Sequence, residues 1–144
     1  MSYLLDTNVL SEATRAKPDG RVAGWLASIS DLASFISVVS VAEIRKGILL
    51  LPAGKKRTKL EVWFESELLR AFAGRVLPLG ELEMSEWAQI QAQAEKSGRP
   101  LPMVDSLVAA SARCHGLTVA TRNIRDFQGC MVSVYDPWSG EKLG

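Results

Sequence analysis

The chain has 144 residues, 47% hydrophobic and 23% charged, which is enough apolar material for one packed core and too much for a disordered segment. Its 17 Lys and Arg against 16 Asp and Glu leave a net charge of +1, which argues against a polybasic surface and leaves only local patches to meet nucleic acid. The longest uncharged apolar-leaning run, Leu32 to Ala42, is too short to span a bilayer, and no basic segment followed by an apolar one opens the chain, so neither membrane nor secretion is expected.

Ser2-Tyr3-Leu4-Leu5 is a short apolar run ended by the capping residues Asp6-Thr7-Asn8, a strand followed by a helix start. Val22, Trp25, Leu26 and Ile29 fall at helical spacing within residues 20–29. Residues 34–39, Ser-Phe-Ile-Ser-Val-Val, are β-branched and aromatic and predict a second buried strand. A helix is expected to open at Ser40 and run to Leu51, where Pro52 stops it. Leu60, Phe64, Leu68 and Phe72 recur every four residues and mark a long amphipathic helix. A brief strand over 76–79 and a helix from Glu83 to Lys96 follow. Gly98 and Pro100-Leu101-Pro102 then break the chain before a helix over Met103 to His115, stopped by Gly116. Strands over 117–120 and 131–134 close the pattern. Without repeats or a long linker, this reads as one domain over 1–144, an α/β layer fold with a mostly parallel sheet.

Ligands in such sheets sit beyond the carboxyl ends of the strands. There the sequence delivers Asp6 after the first strand and Glu43 in the first turn of the helix after the second. Asp105 follows the Pro-Leu-Pro break, and Asn123 and Asp126 follow the strand ending near Thr121. Each has a plain local reading. Ser40-x-x-Glu43 matches a capping box, Asp6 an N-cap, and Asp105 a charge at the positive end of a helix. Together they converge like charges whose repulsion raises their pKa values unless a cation is present. A hard divalent ion held by carboxylates, water and a substrate phosphate relieves it. With one histidine, His115, and two cysteines, Cys114 and Cys130, a closed four-ligand zinc site of Cys and His is excluded within one chain.

The motifs that carry these acids resemble those of the PIN-domain nucleases. Tyr3-Leu4-Leu5-Asp6-Thr7-Asn8 is similar to that family's opening, and Ser37 to Glu43 and Leu101-Pro102-Met103-Val104-Asp105 with Ala109-Ala110 to its next two motifs. Thr121-Arg122-Asn123 with Asp126-Phe127, and Asp136-Pro137-Trp138, resemble its closing ones. The nearest branch is the VapC-like toxins of bacterial type II toxin–antitoxin pairs, those similar to FitB. The resemblance implies a PIN-like three-layer fold and carries over Asp6, Glu43 and Asp105 as metal-binding, catalytic acids. The fourth place falls to Asn123, where many relatives have an acid, or to Asp126, grouped with the catalytic acids. It further implies a cytoplasmic Mg²⁺- or Mn²⁺-dependent endoribonuclease that cuts structured RNA, tRNA or rRNA, to stop translation. A cognate antitoxin and a homodimer are expected with it.

Thr7 and Asn8 read either as groups orienting Asp6 or as ordinary helix-start residues. Arg122 and Arg125 are the expected grips on an RNA backbone, ahead of the basic run Lys55, Lys56, Arg57 and Lys59, whose default is a solvated helix face. Around Trp63 and Phe64 the apolar stripe exceeds one helix face and reads as core, with any exposed part as a partner groove; relatives in the resembled family grip the antitoxin there. His115 is expected at the helix C-terminus, near the dipole and last carbonyls, and the cysteines as small core hydrophobes. A Mg²⁺ phosphatase of the haloacid-dehalogenase type also places Asp after the first strand but needs a second Asp where Asn8 stands. A receiver domain lacks its paired N-terminal acids. A non-catalytic PIN-like module, decayed at Asn123, is the remaining alternative; it binds antitoxin or RNA without cleavage.

Overall fold

A computed structural model describes residues 1–144. Six strands form one sheet in the order β3-β2-β1-β4-β5-β6, parallel except for the last pair. They are β1 (Tyr3–Leu5), β2 (Ser34–Ser37), β3 (Val76–Leu77), β4 (Thr118–Ala120), β5 (Val134–Tyr135) and β6 (Lys142–Leu143). Consecutive side chains on a strand face opposite ways, so Leu4 and Val119 enter one core and Leu5, Ile36 and Ala120 the other. The first core is closed by α6 (Glu81–Lys96) and α7 (Met103–His115). The second is closed by α1 (Thr7–Glu12), α2 (Gly20–Ser28), α3 (Val38–Leu49) and α4 (Lys55–Trp63) with its continuation. This is the expected three-layer arrangement.

Chain order makes the site. β1 leads by right-handed crossovers to β2 and β3 on one side, and β4 and β5 then add on the other. Strand order therefore reverses between β1 and β4, and the region beyond their carboxyl ends is where sheets of this kind take their ligands. Asp6 and Thr121 are the first residues past those two strands.

Several expected boundaries move, each for a local reason. β2 ends at Ser37, not at 39, because the Ser37 hydroxyl accepts from the Val39 amide at 3.0 Å and caps α3. Val38 and Val39 are thereby helical despite their β-branching. The helix thus opens at Val38 and not at Ser40, which removes the Ser40–Glu43 capping box and carries Glu43 into the second turn. α6 starts two residues early, at Glu81, with Glu83 accepting from the Gly80 amide at 3.3 Å. The strand expected over 131–134 begins only at Val134, because Gly129 and Met131 hold left-handed backbone (φ 86° and 54°) and turn the chain first. β6 has no counterpart among the expected elements. It pairs with β5 through a turn in which Asp136 accepts from the Trp138 and Ser139 amides at 2.7 and 3.4 Å. The third strand ends at Leu77 and the fourth starts at Thr118.

The four-residue repeat from Leu60 to Phe72 has a physical consequence. On a 3.6-residue helix a strict step of four drifts about 40° per repeat. Here α4 passes through a π-helical turn (Phe64–Leu68) into α5 (Leu69–Ala71). That wider turn keeps Phe64 and Leu68 both buried in the second core.

Candidate active site

Asp6 terminates β1 and caps α1. One carboxylate oxygen, Oδ1, accepts from the Thr7 amide at 2.9 Å, and the other from the Thr121 hydroxyl at 2.8 Å. Thr121 is fully buried and is the hub of the site. Its oxygen also accepts from the Asn8 side-chain amide and from the Asn123 backbone N–H, both at 3.1 Å. Asn8 closes the loop by accepting from the Arg122 backbone N–H at 3.2 Å. Two segments 115 residues apart in sequence are therefore locked together through one buried hydroxyl whose proton and lone pairs are all engaged.

Glu43 arrives from α3 on the same side, where the Thr7 hydroxyl donates to it at 2.7 Å. Thr7 thus orients Glu43 through its side chain and Asp6 through its backbone. Asn8 acts on Asp6 one bond removed, through Thr121. Asp105 stands in the first turn of α7, half-buried. Asp126 projects from a 3₁₀ turn (Ile124–Phe127) and is exposed.

The electrostatics tie these acids into one group. Burial pushes the Asp105 carboxyl up to about 6, and the charges of Asp6, Asp126 and Glu43 add to the shift. Burial also raises Asp6, against the lowering effect of its bonds to Thr121 and Thr7, and Glu43 and Asp126 push the same way. Yet no three of the four bring oxygens within 4.8 Å of one another. The donor set is all carboxylate oxygen and fits a hard, partly hydrated cation such as Mg²⁺.

Of the two residues in question for the fourth place, Asp126 faces the group with its charge, whereas the Asn123 side chain makes no hydrogen bond and only its backbone N–H reaches Thr121. Arg122 and Arg125, in the segment just after β4, are exposed. The Arg122 guanidinium lies 5.3 Å from the Trp138 ring centroid and pairs with none of the acids. Sequence reading missed Thr121 as a site residue, although it named the motif; a threonine right after a strand carries no chemical signature without its partners. His115 ends α7 beside Gly116 as expected, and its Nε2 meets Glu83 Oε1 at 3.3 Å rather than the last carbonyls. Cys130 is buried in the first core as expected, but Cys114 is only partly buried.

Away from the site, an open groove of about 1420 Å³ runs between the turn after α1 and the start of α4. Thr14, Arg15, Gly47, Lys55, Lys59 and Trp63 are among its lining. The basic run is thus partly a groove wall, while Arg57 turns back to Glu61 at 2.8 Å and to the Leu51 carbonyl.

The PIN domain family model matches residues 3–128, and the chain belongs to the PIN-domain family. Within it the chain falls in the VapC-type branch, whose relatives are named as toxins and ribonucleases. It is 42% identical to Toxin FitB of Neisseria gonorrhoeae over 94% of this chain and 97% of that protein. It is 39% identical to VapC ribonuclease Y4jK of Sinorhizobium fredii over 94% of this chain and 96% of that one. Among solved structures, FitAcB from Neisseria gonorrhoeae superposes with a TM-score of 0.90 at 42% identity, covering 95% of this chain and 99% of that one. FitAB bound to a DNA fragment gives 0.90 at 41%, covering 96% and 97%.

Proposed function

We propose that this protein is the toxin of a toxin–antitoxin pair, a Mg²⁺- or Mn²⁺-dependent endoribonuclease that stops translation by cutting structured RNA such as tRNA or rRNA. The observation that carries this reading is the convergence of Asp6, Glu43, Asp105 and Asp126 beyond the strand ends, where burial and the neighbouring charges lift Asp105 to about 6. Asp6, Glu43 and Asp105 would hold the divalent ion, with Asp126 completing the site. Bound there, the ion supplies an activated water and charge stabilisation for cleavage at phosphorus.

The chain's own residues do the rest. Thr121 and the Thr7 amide fix both oxygens of Asp6, and the Thr7 hydroxyl fixes Glu43, so the acids are aimed before substrate arrives. Arg122 and Arg125 hold the phosphate backbone and keep its charge from being repelled by the acids. The groove beside α4 receives the antitoxin, and a homodimer in the cytoplasm is the working form. FitAcB, FitAB and VapBC assemblies among the similar structures support the partner.

Full-length chain freed of antitoxin, incubated with total cellular RNA in Mg²⁺, Mn²⁺ or EDTA beside a folded Asp105→Asn variant, tests this. Discrete fragments that require metal and vanish in the variant are expected. Folded protein that neither cleaves RNA nor binds Mg²⁺ or Mn²⁺ in calorimetry would instead make it a binding module.

A further inference from the structure

At the end of α7 opposite Asp105, the helix finishes with Cys114 and His115 before Gly116 turns it off in the left-handed conformation (φ 66°). α6 packs alongside and presents Glu83 to them. The ligand atoms of Glu83, Cys114 and His115 all lie within 4.8 Å of one another, and this is the only Cys, His, Asp or Glu group of three so gathered in the molecule.

The geometry points to a second metal site here, taking a borderline divalent ion of the zinc type through Cys114 Sγ, His115 Nε2 and one Glu83 oxygen, with water in the fourth position. A thiolate, an imidazole and a carboxylate together select against Mg²⁺ and for Zn²⁺ or its chemical relatives. Around a tetrahedral ion with bonds of about 2.0–2.3 Å, ligand atoms stand roughly 3.4–3.7 Å apart. His115 Nε2 and Glu83 Oε1 are already 3.3 Å apart, and the three residues' ligand atoms lie within 4.8 Å of one another. The His115 side chain is 37% exposed, which gives an ion a path of entry. Glu83 keeps its other oxygen on the Gly80 amide, a contact that fixes the carboxylate as the outer partners of metal ligands do. The neighbouring Glu86 is engaged by Arg113 at 3.1 Å and remains outside the ligand set. An ion held this way staples α6 to α7, independently of the acids at the other end of α7.

Co²⁺ titrated into the full-length chain in excess Mg²⁺ tests the site, because a thiolate–cobalt bond gives a near-ultraviolet charge-transfer band that carboxylates cannot give. The expected result is one equivalent of Co²⁺ producing the band and Zn²⁺ displacing it. Cys114→Ala should abolish the band; His115→Ala and Glu83→Gln should weaken binding at least tenfold; Asp105→Asn should leave it intact. Zn²⁺ should also raise the melting temperature of the wild type and not of His115→Ala, a readout that needs only the folded starting protein. Absence of the band in the wild type, its persistence in Cys114→Ala, or unchanged affinity in either other variant would overturn the site.

Discussion

The two ends of α7 are built on opposite electrostatic rules. At its C-terminus acids meet basic side chains: Glu83 lies 3.3 Å from His115, and Glu86 meets Arg113 at 3.1 Å. At its N-terminus Asp105 faces Asp6, Asp126 and Glu43, and no arginine or lysine pairs with any of them. One end brings acid and base together within the chain. The other retains a repulsion that a bound cation would relieve, and such conflicts gather at functional sites.

Removing the conflict should separate activity from stability. Asp105→Asn is expected to lower RNA cleavage by at least about a thousandfold, while the metal-free melting temperature rises by roughly 2–5 °C as one repelling charge disappears. A variant that lost both would mean that Asp105 supports the fold. Thr121→Val comes next. It strips the bond from Asp6 and the acceptor for Asn8 and Asn123 while keeping the volume; cleavage should drop about 10- to 100-fold, with a stability loss of about 1–3 kcal/mol in denaturant titration.

Asp126→Asn against Asn123→Ala sharpens the fourth position. Activity should fall about tenfold or more in the first and change little in the second; the reverse order would hand the place to Asn123. The smallest effect is on pH. Asp105 titrates at about 6 in the fold and near 3.8 in the unfolded chain, so between those values the native state holds the extra proton. Metal-free stability should therefore decline as pH rises from about 4 to 6 and stay lower above it. Saturating Mg²⁺ should remove that decline, and a metal-free melting temperature that instead climbs across this window would count against the raised value.

Sequence periodicity located the layers because alternating and helical patterns are enforced by burial, which acts on every residue of an element. It put Asp6 and Glu43 at one edge for a similar reason: in a parallel α/β chain, the segments that follow each strand gather at one end of the sheet, whereas Asp105 follows α6 and a Pro-Leu-Pro break and stands in the first turn of α7. The boundaries it missed were set by single contacts. The Ser37 hydroxyl started α3 early, a left-handed Met131 delayed β5, and a π turn follows α4 where the four-residue repeat meets a buried face.

By itself the sequence determined the fold class and the order of the acids, since both depend on residue types along the chain. Only the tertiary structure decided how they act together. Thr121 became the hub because β1 and β4, distant in sequence, are neighbours in the sheet. Cys114 and His115 acquired Glu83 because α6 packs on α7. Hydrogen bonds and ligand sets need atoms within about 3–4 Å, and sequence spacing does not specify which distant residues meet at that range.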